Sequence, residues 1–236
     1  MINKGTKIVE NQYLEDVIKS FKNDNLDILI IGECEGEENV IQTVLKCNKH
    51  KEIQCVDILP LQPNSSLEKL VNTNNTVKFT QTDFIKNELD KKYDIIVCIS
   101  VLEHFGMRWN GEKMFDKLDS GDDDILWNYD LVGLLKMGGL LKDKDSKAII
   151  TLPVGPYMNY LDNGLPFLRY YDIKRMNIFD EISNNNNLSI NDEIFYYTQD
   201  FQNFEKVAKD IAYPEYNGYI NSYTPNCIWA FNLQQK

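Results

Sequence analysis

The feature that most constrains this chain is an alternation. Short β-branched apolar runs are separated by segments whose apolar residues recur at helical spacing, and the pattern holds from residue 13 to residue 152. Tyr13, Leu14, Val17, Ile18 and Phe21 predict an opening helix, and Leu26–Ile31, closed by Gly32, predicts the first strand. Val40, Ile41, Val44 and Leu45 mark a second helix, and Glu52–Asp57 a second strand that ends in an acid. A helix around Leu67 to Val71, a strand over Val77–Thr80 and a strongly apolar strand over Tyr93–Ile99 continue the rhythm. Trp127, Leu131, Leu134 and Leu135 predict a helix stopped by Gly138 and Gly139, followed by a fifth strand over Ala148–Leu152. Continuous apolar strands are buried on both faces, so the expectation is an open, mostly parallel α/β sheet with helices on both sides. Its ligand crevice belongs at the carboxyl ends of the strands.

Beyond Pro153 the rhythm changes. Residues 153 to 177 are rich in Tyr, Pro, Asn and Gly and read as an ordered loop region. Glu193–Thr198 predicts a strand, Phe204, Val207, Ala208 and Ile211 a helix face, and Cys227–Leu233 a terminal strand. No repeat and no boundary divides the chain, so one domain over 1–236 is expected. The connection from Gly106 to Gly121 exceeds the usual two to six residues, which makes it a functional candidate.

Composition removes several classes of function. With 25 basic against 36 acidic residues among 236, the net charge is −11. No basic stripe is present to displace counterions from a phosphate backbone, which argues against a nucleic-acid partner. The N-terminus lacks a secretory layout and no apolar run approaches the ~20 residues a bilayer needs, so the expectation is a cytoplasmic protein without membrane contact. Five cysteines, none spaced C-x-x-C, suggest neither a disulfide framework nor a zinc site. Asp122, Asp123 and Asp124 precede a predicted helix, where its dipole accounts for them without a metal.

Chemistry is expected at four strand ends. Gly32-Glu33-Cys34-Glu35-Gly36 follows the first strand, where small residues let backbone approach a ligand. Asp57, followed by Ile58, lies 25 residues beyond Gly32, the position of a carboxylate that accepts both hydroxyls of a ribose. Asp83 suits an adenine amino group with Phe84 against the ring, although Asp is also an ordinary turn cap. Ser100-Val101-Leu102-Glu103-His104-Phe105 follows the fourth strand, beside the expected reaction centre.

In order and spacing, Ile30–Gly36, Asp57, Asp83, the Ser100–Phe105 stretch and Gly138-Gly139 resemble the class I S-adenosylmethionine-dependent methyltransferases. The resemblance covers about the first two thirds of the chain. It departs from the family at Ile30, where an acid is usual, and at Cys34, where glycine is usual. Glu103-His104-Phe105-Gly106, Leu152-Pro153-Val154-Gly155 and Arg169-Tyr170-Tyr171 further resemble an uncharacterised branch associated with cell-surface glycan genes.

The resemblance implies a Rossmann-like fold with a seven-stranded sheet whose last strand is antiparallel. It also implies a cofactor-binding core over 1–152 and a substrate-side region over 153–236. S-adenosyl-L-methionine would contact Gly32, Glu33, Cys34, Gly36, Asp57, Ile58, Asp83, Phe84 and Ser100. His104 is the candidate base, with a structural histidine as its competing reading. Glu103, Tyr157, Arg169 and Tyr170 are candidates for the acceptor side, Arg169 as a clamp for an anionic group or as an ion-pair partner. The stretch after the fourth strand lacks the Asn/Asp-Pro-Pro-aromatic run of amine-methylating nucleic-acid enzymes, which favours a hydroxyl or phosphoryl oxygen of a small molecule, with a sugar or phosphorylated precursor of surface polysaccharide as the expected class. A nitrogen acceptor, a non-catalytic methyltransferase fold and a nicotinamide-dependent enzyme are the rival readings.

Overall fold

A computed structural model describes residues 4–34, 40–107, 128–155, 158–162, 165–200, 202–209 and 227–236. The chain opens with α1 (Lys4–Ser20), β1 (Leu26–Ile31), α2 (Val40–Cys47), β2 (His50–Asp57), α3 (Ser66–Thr73), β3 (Val77–Gln81) and β4 (Ile95–Ile99). A 3-10 turn (Leu102–His104) follows, then α4 (Tyr129–Leu140), β5 (Lys147–Pro153), β6 (Met158–Asp162) and β7 (Leu165–Tyr170). The last elements are α5 (Ile173–Asn185), β8 (Leu188–Tyr197), β9 (Glu205–Val207) and β10 (Cys227–Gln235).

Eight strands form one sheet in the order β3-β2-β1-β4-β5-β10-β8-β9. The five from β3 to β5 run parallel, and β10 inserts antiparallel between β5 and β8. Because strand side chains alternate between faces, β1 sends Ile28 and Ile30 to one core and Leu29 and Ile31 to the other. The first core is covered by α1 and α2, with Leu67 of α3. The second is covered by α4 and α5, where Phe179 meets Tyr171 edge-on and packs near Trp229 and Phe231. The expected α/β sheet with helices on both faces is therefore present.

Three local expectations are corrected. Residues 205–207, placed on a predicted helix face, pair as the edge strand β9 with β8, which raises the sheet from seven strands to eight. A free edge on β8 outweighs the local apolar spacing. The region 153–177 is not loop throughout, since β6 and β7 form a separate antiparallel hairpin. The third correction concerns Gly138 and Gly139, which do not stop α4. The helix runs to Leu140, whose carbonyl accepts from Tyr93 N at 2.9 Å, so tertiary contacts override the glycines' poor propensity. The residues 108–127, including most of the long connection and the three aspartates, lie outside the described residues. Among those described, no helix is long and apolar enough to cross a membrane.

At the opposite end of the sheet from the strand carboxyl ends, β1, β2 and β3 are stitched by charge. Lys91 reaches Asp27 at 2.9 Å and Glu52 at 2.7 Å, and Lys78 reaches Glu52 at 2.5 Å. Hydrogen bonds from Lys78 and then Lys91 hold the Glu52 carboxyl at about 2, below its ordinary 4.5. A depressed carboxyl contributes stability above its unfolded value and loses that contribution as pH falls through its folded one. Solvent screens these partly exposed ions, so the expected effect is modest. The urea midpoint of Glu52→Gln should lie below wild type near neutral pH and converge with it as pH falls from about 4.5 towards about 2. A gap that persists in acid would assign Glu52 a role other than charge.

Candidate functional site

The chain runs from β1 outward to β2 and β3, then returns to the other side of β1 as β4. At such a reversal open α/β sheets usually have their ligand crevice, here expected between the carboxyl ends of β1 and β4. Gly32 lies at its floor with φ +78°, and its N–H donates to Val56 O at 2.8 Å. A Cβ there would lie 2.4 Å from Val101 Cγ2 and 2.6 Å from Val101 Cγ1, so this position requires glycine on two counts.

The register Ile31↔Val56 places Asp57 beside Gly32. Asp57 Oδ1 accepts from Leu59 N at 2.8 Å, and Asp57 O accepts from Thr82 N at 2.7 Å, which fixes this carboxylate at the crevice rim. Cys34 O accepts from Gln62 N at 3.1 Å, joining the turn after β1 to the segment after β2. Ile58, 39% exposed, offers an open apolar side chain next to Asp57. Glu33 is buried, and its charge adds to the burial that pushes the Cys55 thiol well above its ordinary value. Gly36 lies outside the described residues. The structure thus brings Gly32, Cys34, Asp57 and Ile58 together.

Asp83 follows β3 and acts as a cap. Its Oδ1 accepts from Ile85 N at 2.9 Å and Lys86 N at 3.2 Å, the ordinary role weighed against adenine recognition. Phe84, expected against an adenine ring, is only 5% exposed. Its ring packs 6.0 Å from that of Phe105, with the Lys136 ammonium 5.3 Å from its centroid, so Phe84 is a core residue.

After β4 the backbone turns sharply. Ser100 adopts φ +52°, rare for a residue with a Cβ, and its N–H donates to Thr151 Oγ1 at 3.0 Å. The 3-10 turn then carries Glu103, which is buried, and His104, which is half-buried and donates its backbone N–H to Val101 O at 3.0 Å. Arg169, at 0% exposure, does not present a guanidinium to an anionic acceptor. Its Nη1 donates to Phe105 O at 2.6 Å and so fixes the chain just beyond His104. Tyr170 is likewise buried, and Tyr157 lies outside the described residues. Behind this wall Asp130 Oδ2 accepts from Arg175 Nε at 3.1 Å, Asp130 also accepts from Arg175 Nη2, and Asn128 accepts from Arg175 Nη1 at 3.1 Å.

One residue of this region was missed by the sequence reading. Glu10 of α1 is 1% exposed, and its Oε1 accepts from Ser100 Oγ at 2.6 Å and Thr151 Oγ1 at 2.7 Å. The signal was available: Thr6, Glu10, Tyr13, Leu14 and Val17 share one buried helical stripe, so Glu10 is a charge at a core position.

No group of three or more His, Cys, Asp or Glu able to hold a metal occurs among the described residues. No protein-family model matches the chain, and no curated protein matches its sequence. Solved structures do. One is the 1,6-didemethyltoxoflavin-N1-methyltransferase of Burkholderia thailandensis with bound 1,6-didemethyltoxoflavin and S-adenosylhomocysteine. It has a TM-score of 0.61 at 12% identity, covering 99% of this chain and 80% of that one. The N-methyltransferase NodS from Bradyrhizobium japonicum WM9 gives 0.56 at 11% identity and full coverage of both chains, 100% and 100%. An S-adenosylmethionine-dependent methyltransferase from Clostridium acetobutylicum ATCC 824 gives 0.56 at 13%, covering 95% of this chain and 91% of that one. The fold is therefore the Rossmann-like fold of S-adenosylmethionine-dependent methyltransferases.

Proposed function

We propose that this chain is an S-adenosylmethionine-dependent methyltransferase acting on an oxygen of a small molecule, with a sugar precursor of surface polysaccharide as the favoured acceptor class. The observation that carries the reading is the junction of Gly32 and Asp57, a turn without a side chain beside a fixed carboxylate at the strand-order reversal. There Gly32 lets Val101 pack against the turn, Asp57 accepts from ribose hydroxyls, and Ile58 covers apolar surface. When bound, S-adenosylmethionine supplies an electrophilic methyl on a sulfonium. The chain's part is to hold the acceptor in line with it and exclude water.

His104, just past β4 on a turn tied at both ends by backbone hydrogen bonds, is the base we assign to the acceptor hydroxyl. Because Arg169 is enclosed, the reading favours a neutral sugar over a phosphorylated one. A nitrogen acceptor is the second reading, favoured by the N-methyltransferase neighbours.

Calorimetric titration with S-adenosylhomocysteine tests the proposal. Wild type should bind, and Asp57→Ala should weaken binding by about 10- to 100-fold, the value of hydrogen bonds to a charged acceptor. Asp57→Asn, which keeps an acceptor for Leu59 N, separates loss of charge from loss of the turn. Stabilisation by a nicotinamide dinucleotide and not by S-adenosylhomocysteine would replace the cofactor assignment.

A further inference from the structure

The carboxylate of Glu10 is buried where an α1 core residue would ordinarily be apolar, and it gathers the hydroxyls of Thr151 in β5 and of Ser100 just past β4 at the carboxyl end of the parallel strands. Ile99↔Thr151 is the last β4–β5 pair, so Glu10 spans the point where β4 leaves the sheet. The hydrogen bonds run in one direction. Ser100 N–H donates to Thr151 Oγ1, Thr151 Oγ1–H donates to Glu10 Oε1, and Ser100 Oγ–H donates to the same oxygen. Three bonds thereby converge to keep Ser100 at φ +52°, a conformation its Cβ disfavours. Lys7 Nζ, 3.5 Å from Oε2, partly balances the charge.

What this conformation sets is the next residue. Val101 follows Ser100 directly, and its methyls occupy the space that Gly32 leaves open. The crevice between β1 and β4 is therefore bounded on one side by a backbone whose course depends on a carboxylate from a helix 90 residues earlier in the chain. Glu10 itself is covered by protein and does not touch the crevice.

We infer that Glu10 is a positioning residue for the cofactor. By holding Ser100 and Thr151 it sets Ser100–Val101 against Gly32, and it makes docking of α1 a condition of cofactor binding. The inference rests on the methyltransferase reading above.

The test is calorimetric titration with S-adenosylhomocysteine, well below the melting temperature of each variant, on wild type, Glu10→Met, Glu10→Gln, Thr151→Val and Glu10→Met/Thr151→Val. Glu10→Met removes the acceptor at similar length, and it should weaken binding by about tenfold or more, as expected for loss of charge-assisted hydrogen bonds. Glu10→Gln keeps an acceptor oxygen and should recover most of that loss. The double variant should bind no more weakly than the worse single one, because Glu10 and Thr151 act as one unit.

Glu10→Met with lowered melting temperature but wild-type affinity would reduce Glu10 to a structural residue. So would losses that multiply in the double variant. If Glu10→Met does not fold, Thr151→Val decides, and unchanged affinity in it overturns the inference. Absence of binding to wild type would instead remove the methyltransferase reading and this inference with it.

Discussion

Replacing Gly32 by alanine should lower affinity for S-adenosylhomocysteine by about a hundredfold, with a smaller loss of thermal stability. Two costs combine. A Cβ at φ +78° meets the left-handed backbone penalty of about 1–2 kcal/mol. The same Cβ lies 2.4 Å and 2.6 Å from two carbons of Val101, a stiff β-branched side chain, and such overpacking costs about 1–3 kcal/mol. The free protein escapes part of this strain by letting the turn depart from its native course. Binding must then restore the turn, and the apparent affinity falls by the fraction of molecules that hold it. A total near 2.7 kcal/mol corresponds to the hundredfold loss. Gly32→Ala/Val101→Ala removes the two closest contacts, leaves the Val101 Cβ at 3.1 Å and keeps the backbone penalty, so it should recover up to about half of the lost free energy. Wild-type binding by Gly32→Ala would mean that the ligand does not pass over this turn.

The first two thirds of the fold were legible because the central parallel strands β1, β4 and β5 are buried on both faces. Leu26–Ile31 and Ile95–Ile99 are buried along their whole length, and a run without polar alternation announces itself in the sequence. The adjacency of Gly32 and Asp57 was legible for a related reason. A glycine and an acid at the ends of neighbouring parallel strands must lie side by side once the register is set, as Gly32 and Asp57 do.

What was not legible depends on long-range pairing or on the direction of a side chain. The strand Glu205–Val207 exists because β8 leaves an edge to pair with, and its sequence alone reads equally well as a helix face. Arg169 carries the same guanidinium whether it faces a crevice or supports the wall from behind, and only the hydrogen bond to Phe105 O decides. Phe84 differs in the same way, as its ring turns to Phe105 instead of the crevice. Glu10 differs again: the sequence reading passed over it, although it stands as a charge in the buried stripe of Thr6, Tyr13, Leu14 and Val17.

Substituting Asp130 by alanine should cost about 3–5 kcal/mol of unfolding free energy, the value of breaking a buried ion pair and leaving its partner charged. Asp130 is fully buried in the first turn of α4 and takes Arg175 from the first turn of α5 in a two-pronged contact. For a chain of 236 residues, at about 2–4 °C per kcal/mol, the melting temperature should fall by about 6–20 °C. The pair's net contribution is a separate quantity. Asp130→Leu/Arg175→Met removes both charges and fills similar volume, and apolar replacement of a buried pair is often neutral or stabilising. Urea unfolding should therefore place the double variant near wild type and far above Asp130→Ala.

Affinity for S-adenosylhomocysteine then asks what the pair specifies. α5 begins at Ile173, four residues after Arg169, whose guanidinium holds Phe105 O behind His104. If the ion pair only holds α4 to α5, the apolar double variant binds as wild type does. If it also sets the position of Arg169, the double variant is stable but binds weakly, and the buried charges are retained for the geometry of the site at no gain in stability. A double variant as unstable as Asp130→Ala would contradict both alternatives, because the loss would then lie in packing that neither charge explains.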